Sequence, residues 1–255
     1  MAHATGFHGR VWEPIAHELQ RHFHCWSIDL RAHGDSTAPT NRPLEWEGFA
    51  DDIIAVVDAF GLDQPYGVGH SKGGAALLLA EQARPGMFRS LYLFEPVVMT
   101  PEWAQGYAPE NPLAVGARRR RDTFESFDAA FDNFASKLPF SQLDRVALRL
   151  YVDHGFSQNI DGTVTLKCRP ENEAEVYARG SAHQAFLSLE SVRCPVTIAL
   201  GAEDAIPAIF GRPIANALPN GSVDSHPGLG HFGPLEDPSR IAVSILNAFA
   251  PTSDS

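Results

Sequence analysis

Gly67-Val68-Gly69-His70-Ser71-Lys72-Gly73-Gly74 is the stretch that decides how this chain folds. The short apolar run before it, Pro65 to Val68, predicts a buried strand, and Ala75-Ala76-Leu77-Leu78-Leu79-Ala80 after it predicts a helix. Gly69-x-Ser71-x-Gly73 at a strand-to-helix junction has the form of a nucleophile elbow. Such a turn strains the serine backbone, and a Cβ at either glycine would collide with the adjoining strand or helix. The serine is then presented at the carboxyl edge of a sheet, beside the free N–H groups and positive dipole end of the next helix. A glycine-rich turn with a buried capping serine would use the same letters, so the partners available to Ser71 decide between the two.

Outward from the elbow, strands and helices alternate. Upstream, Thr5-Gly6-Phe7-His8-Gly9 is a glycine loop, Val11 to Leu19 a helix, and Phe23 to Leu30 a strand that ends in the polar loop Asp29 to Ser36. Phe49 to Phe60 is a helix with Phe49, Ile53, Val56, Val57 and Phe60 on one side, closed by Gly61. Downstream, the elbow helix reaches Ala83 and a strand covers Ser90 to Phe94. Pro195 to Gly201 and Ser222 to Ser225 are later strands, Ala208 to Leu218 a helix, and Pro238 to Phe249 the closing helix. This order predicts an α/β fold, a mostly parallel central sheet with helices on both faces.

The rhythm breaks between Pro101 and Val192. Prolines interrupt the chain, Arg118 to Arg121 form a basic run, and Phe124, Phe127, Phe131 and Phe134 recur at helical spacing. Helices are expected over Gln142 to Tyr151 and Glu171 to Tyr177, with a polar turn at Asn159 to Thr163 between two extended pieces. The segment 101–192 reads as an inserted, mostly helical cap on a core formed by 1–100 and 193–255. The arginine run is most simply a solvated helix face or a partner for carboxylates, and the Phe stripe the packing of the cap itself.

A serine hydroxyl needs an adjacent base held in the right tautomer by a third group. Asp204 follows the strand Pro195 to Gly201 by a short turn, and His231 lies in the glycine-rich loop His226 to Pro234 after the last strand. A parallel sheet brings both to the edge that carries Ser71. Alone, Asp204 reads equally as a helix cap and His231 as a packing residue; the joint placement favours a triad of Ser71, His231 and Asp204.

Composition restricts the alternatives. The chain has 255 residues and a formal net charge of −11, a poor match for nucleic acid or an anionic membrane surface. It carries no apolar run of membrane-spanning length and no basic-then-apolar leader at its start. Cys25, Cys168 and Cys194 have no metal-type spacing and fit a reduced, cytoplasmic compartment. His22 and His24 lack a third ligand, so no metal is expected. A small-molecule substrate is expected, no cofactor, no nucleic acid and no membrane; a homo-oligomer is left open.

Over nearly its whole length the chain resembles the α/β-hydrolase superfamily. The resemblance rests on Thr5-Gly6-Phe7, Asp29-x-Arg31-x-x-Gly34-x-Ser36, the elbow Gly69 to Gly73, Gly201-x-x-Asp204, and Gly230-His231-Phe232 with Glu236-Asp237-Pro238. It implies Ser71 as nucleophile, His231 as general base and then acid, Asp204 as its orienter, and an oxyanion hole from the backbone N–H groups of Phe7 and Lys72. Glu95, after the strand that follows the elbow helix, stands where some relatives place the acid, and Glu203 adjoins Asp204; the ranking is Asp204, Glu95, Glu203. His33, His70 and His226 are expected to be structural, and Lys72 to pair with a nearby carboxylate. The implied reaction is hydrolysis of a carboxylic ester or related acyl compound. C–C bond hydrolysis, cofactor-free peroxidation, acyl transfer and a non-catalytic scaffold are the alternatives. Relatives have further strands ahead of the Thr5-Gly6-Phe7 loop, where this sequence has only Met1 to Ala4, so a truncated or mis-assigned start is expected.

Overall fold

The computed structural model describes residues 1–202 and 208–250. The chain begins beside the elbow. After Ala2 and the loop that follows it, a 3-10 turn at Gly9–Trp12 leads into α1, Glu13–Leu19. The expected strand Phe23 to Leu30 is reduced to one parallel bridge, Ala2 to Ile28; on its other side Ala2 bridges Gly69. Apolar sequence alone does not make a strand here, because among the described residues Ala2 is the sole bridging partner that the segment finds. A groove of about 470 Å³ runs beside this point, with Met1, Trp26, Ile28, Tyr66 and Phe249 in its walls.

The main sheet is built by α2 (Trp46–Ala59), β1 (Tyr66–His70), α3 (Lys72–Ala83) and β2 (Ser90–Phe94). The chain then leaves the sheet. The cap holds α4 (Pro112–Arg118), β3 (Thr123–Phe124), α5 (Phe127–Ala135), α6 (Arg145–Gly155), β4 (Phe156–Gln158), β5 (Val164–Leu166) and α7 (Pro170–Ala178). It returns as β6 (Val196–Leu200), followed by α8 (Gly211–Ala217), β7 (Gly221–Ser225), α9 (Gly233–Glu236) and α10 (Pro238–Phe249). β1, β2, β6 and β7 pair in that order, all parallel.

The two faces of the sheet are filled as their sequence dictates. Phe49, Ile53 and Val57 of α2 pack with Leu77, Leu78, Leu91 and Ile198 on one face. Ile241, Ile245 and Phe249 of α10 pack with Tyr92 and Phe94 on the other. Every residue of β2 is buried, as expected of a strand covered on both sides.

The cap carries more than helices. β3, β5 and β4 form a small antiparallel sheet, and the turn at Asn159 to Thr163 closes its β4–β5 pair. Phe124, Phe131 and Phe134 of the aromatic stripe are buried with Tyr151 and Phe156. The arginine run divides. Arg118 donates to the Pro109 carbonyl, Arg121 pairs with exposed Glu125, and Arg120 turns inward onto Glu173.

Candidate active site

The elbow has the backbone its glycines imply. Ser71 stands at φ 54°, a left-handed conformation that a side chain adopts only when its surroundings enforce it. Its N–H donates to the Phe94 carbonyl at 3.0 Å and its carbonyl accepts from Val97 at 3.2 Å. The end of β2 therefore grips the serine on both sides. A Cβ on Gly69 would lie 2.7 Å from the Gly74 backbone, and one on Gly73 would lie 2.2 Å from the Ala2 carbonyl oxygen. The second contact brings the glycine loop after Ala2 against the start of α3.

Glu95 is the next residue after β2 and is also held at positive φ, 43°. It is 1 % exposed. One carboxylate oxygen accepts from the Gly201 N–H at 2.8 Å and the other meets His231 Nδ1 at 2.7 Å. A carboxylate can only accept, so His231 Nδ1 carries the proton and its Nε2 is left with a lone pair. The His231 loop is fixed from a second direction, because His70 Nε2–H donates to the His231 carbonyl at 2.7 Å. Gly201 allows the approach: a Cβ there would lie 2.5 Å from the Leu229 carbonyl oxygen. Asp204 and Glu203 lie outside the described residues. Among the described residues the carboxylate that reaches His231 is Glu95, the second-ranked acid, at the end of the strand beside β6.

His226 and His33 make structural bonds away from this pair. His226 meets Asp224 at 3.1 Å and the Tyr92 hydroxyl at 3.2 Å, and Ser244 of α10 bonds both Tyr92 and Asp224. This buried network ties β7 and β2 to the closing helix. His33 Nδ1–H donates to the Arg31 carbonyl at 2.8 Å. Asp29 of the Asp29-x-Arg31 motif accepts from the Gly9 and Asp35 N–H groups, at 2.6 Å and 2.8 Å, and so braces the exit of the glycine loop.

Lys72 departs from its expected pairing. Its ammonium is fully buried and faces no carboxylate at ion-pair distance among the described residues. It lies 3.3 Å from His33 Nε2 and 4.3 Å from the centre of the Phe49 ring. Burial lowers its pKa to about 7, and burial likewise drives His33 well below its usual range. The Lys72 backbone N–H opens α3, ahead of any intrahelical acceptor. The Phe7 N–H makes one long bond, 3.3 Å, to the Ala4 carbonyl. Among the described residues no cluster of His, Cys, Asp or Glu is arranged to hold a metal ion.

A strained serine between a parallel strand and a helix, beside a buried carboxylate–histidine pair, defines the class of an α/β hydrolase. Residues 1–243 match the family described as the alpha/beta hydrolase family, and the chain belongs to it. It is 24% identical to a putative carbamate hydrolase, RutD, of Caulobacter sp. (strain K31), over 95% of this chain and 86% of that protein. It is 25% identical to a 2-(acetamidomethylene)succinate hydrolase of Mesorhizobium japonicum, over 94% of this chain and 85% of that protein. A crystal structure of E-2-(acetamidomethylene)succinate hydrolase superposes with a TM-score of 0.78 at 23% identity, covering 96% of this chain and 88% of the other. The relatives include hydrolases of several acyl substrates, and no described helix is long and apolar enough to cross a membrane.

Proposed function

We propose that the chain is a serine hydrolase that cleaves a carboxylic ester or a related acyl compound through an acyl-enzyme, with Ser71, His231 and Glu95 as the working triad. The observation that carries this is the 2.7 Å bond from His231 Nδ1 to buried Glu95, made beside the elbow that holds Ser71 at positive φ. It leaves His231 Nε2 as the base. Ser71 Oγ attacks the acyl carbon as its proton passes to Nε2. The charge that develops on the acyl oxygen is met by the Lys72 N–H and by the Phe7 N–H, whose bond to Ala4 is long enough to give way. Such donors are typically worth about 3 kcal/mol each in the transition state. Collapse expels the alcohol, or the amine of an amide substrate, with the proton from His231. Water then gives its proton to His231 and attacks the acyl-enzyme, releasing the acid and restoring Ser71. The names of two relatives that align over most of the chain, a putative carbamate hydrolase and a 2-(acetamidomethylene)succinate hydrolase, support including nitrogen leaving groups in the substrate class.

The test treats the purified chain and Ser71→Ala with a fluorescent fluorophosphonate and short-chain nitrophenyl esters and anilides. Labelling and turnover in the parent that vanish in Ser71→Ala are expected. A folded parent that is neither labelled nor active would refute the assignment.

A further inference from the structure

The cap reaches the glycine loop at Gly6 through charge. Gly6 stands at φ 80°, and a Cβ there would lie 2.6 Å from Glu173 Oε1 and 3.7 Å from Arg120 Nη1. Glu173, on α7, is 5 % exposed and pairs with Arg120 Nη1 at 2.5 Å. The second guanidinium nitrogen of Arg120 donates to the Tyr151 hydroxyl at 2.8 Å. Tyr151, on α6, lays its ring 5.1 Å from the Phe7 ring, and its backbone carbonyl bonds His8 Nε2 at 3.1 Å. Phe7 also touches Phe232, the neighbour of His231, with ring centres 5.3 Å apart. Three successive loop residues, Gly6, Phe7 and His8, thus lie against one connected group of cap residues, Glu173, Arg120 and Tyr151.

A buried ion pair is poor evidence for stability, because the cost of stripping water from both charges cancels much of their attraction. What it does supply is direction, since guanidinium and carboxylate meet in a defined plane. Here the pair lies against Gly6, the chain neighbour of Phe7, whose N–H is one of the proposed oxyanion donors. We infer that Arg120 and Glu173 are positioning residues: seated against Gly6, with Tyr151 on Phe7, they hold in place the loop that must present the Phe7 N–H to the acyl oxygen. This builds on the serine-hydrolase assignment above, while its physical core, a loop held by the cap, stands independently of it.

The experiment compares the full chain with the double variant Arg120→Met/Glu173→Leu, which replaces the pair by apolar groups of similar volume, and with Glu173→Gln should the double variant not fold. Arg121→Ala, at an exposed pair, is the control. Hydrogen exchange of the amides in residues 5–9 is expected to quicken at least tenfold in the variant, with exchange in β1 and β2 unchanged. For a nitrophenyl ester, kcat is expected to fall 10- to 100-fold with KM within twofold, and fluorophosphonate labelling to slow by the same factor. Unchanged exchange in residues 5–9 of a folded variant overturns the inference. So does faster exchange with unaltered kcat, which would make the pair a purely structural clamp. If the parent itself neither turns over nor labels, the serine-hydrolase assignment fails, and the exchange measurement still decides whether the cap holds the loop.

Discussion

Glu95→Gln is the sharpest perturbation the structure offers. The substitution keeps the side-chain shape at a site that is 1 % exposed, so the fold should survive. The carboxylate now accepts two N–H bonds, from Gly201 and from His231. An amide has one oxygen, and the Gly201 backbone N–H cannot rotate away. The amide oxygen is expected to stay on Gly201 and the amide NH2 to face His231 Nδ1. Nδ1 must then accept, which moves the imidazole proton to Nε2 and removes the base that Ser71 needs. A wrong-tautomer histidine of this kind costs about 10⁴ in kcat in a well-studied serine protease. With His231 one-quarter exposed and able to reorient, the expected loss is about 10³- to 10⁴-fold, or about 4–5.5 kcal/mol of barrier. The assay is ester turnover and fluorophosphonate labelling from pH 6 to 9, with Asp204→Asn in parallel. Glu95→Gln within threefold of the parent, with Asp204→Asn inactive, would refute the assignment of the acid.

Three further outcomes are expected. Gly73→Ala puts a methyl 2.2 Å from the Ala2 carbonyl oxygen, and urea titration should show a loss of about 3 kcal/mol or more, or no folded protein. Burial lowers the pKa of His8 and of His183 to about 4, and drives His3, His33 and His70 well below their usual range. The unfolded chain then binds more protons than the native one below about pH 6.5, so stability is fully present above that value and is lost as pH falls toward 4. Urea midpoints at pH 7.5, 5.5 and 4.5 check this, and His183→Gln should flatten the dependence. Lys72 carries the same kind of charge penalty in the alkaline window. Its pKa falls from 10.5 to about 7, so the native state gains relative to the unfolded one as pH rises from 7 to 10.5. Lys72→Met should raise the thermal midpoint most at pH 6 and least near pH 10, and an equal shift at both would contradict a buried, unpaired amine.

How far the sequence could be read depended on whether the answer was local. The elbow was legible because Gly69 and Gly73 answer to atoms a few residues away or to the adjacent strand, and β2 and α10 appear at the ends their patterns predict. The acid was not settled in the same way. β2 and β6 are neighbours in register, Phe94 opposite Ala199, so a residue just past either strand arrives at the same edge. Nothing in a linear pattern separates Glu95 from Asp204; the bond from Glu95 to His231 is what makes Glu95 the acid proposed here. Arg120 was hidden for a similar reason. Four consecutive arginines look alike until the cap buries one of them. Lys72 was expected to find a carboxylate because the chain is rich in them, but the space it enters is lined by His33 and Phe49.

The proposed acid, directly after β2, would also set the order in which the proposed machinery comes together as the chain folds. Ser71 and Glu95 belong to one strand–helix–strand unit, joined by short-range contacts that a folding chain reaches early. His231 meets Glu95 at a sequence separation of 136, a long-range contact that the last part of the chain must supply. Secondary structure should therefore return before catalytic competence on dilution from denaturant, with a refolding intermediate that has its nucleophile seated and waits for its base.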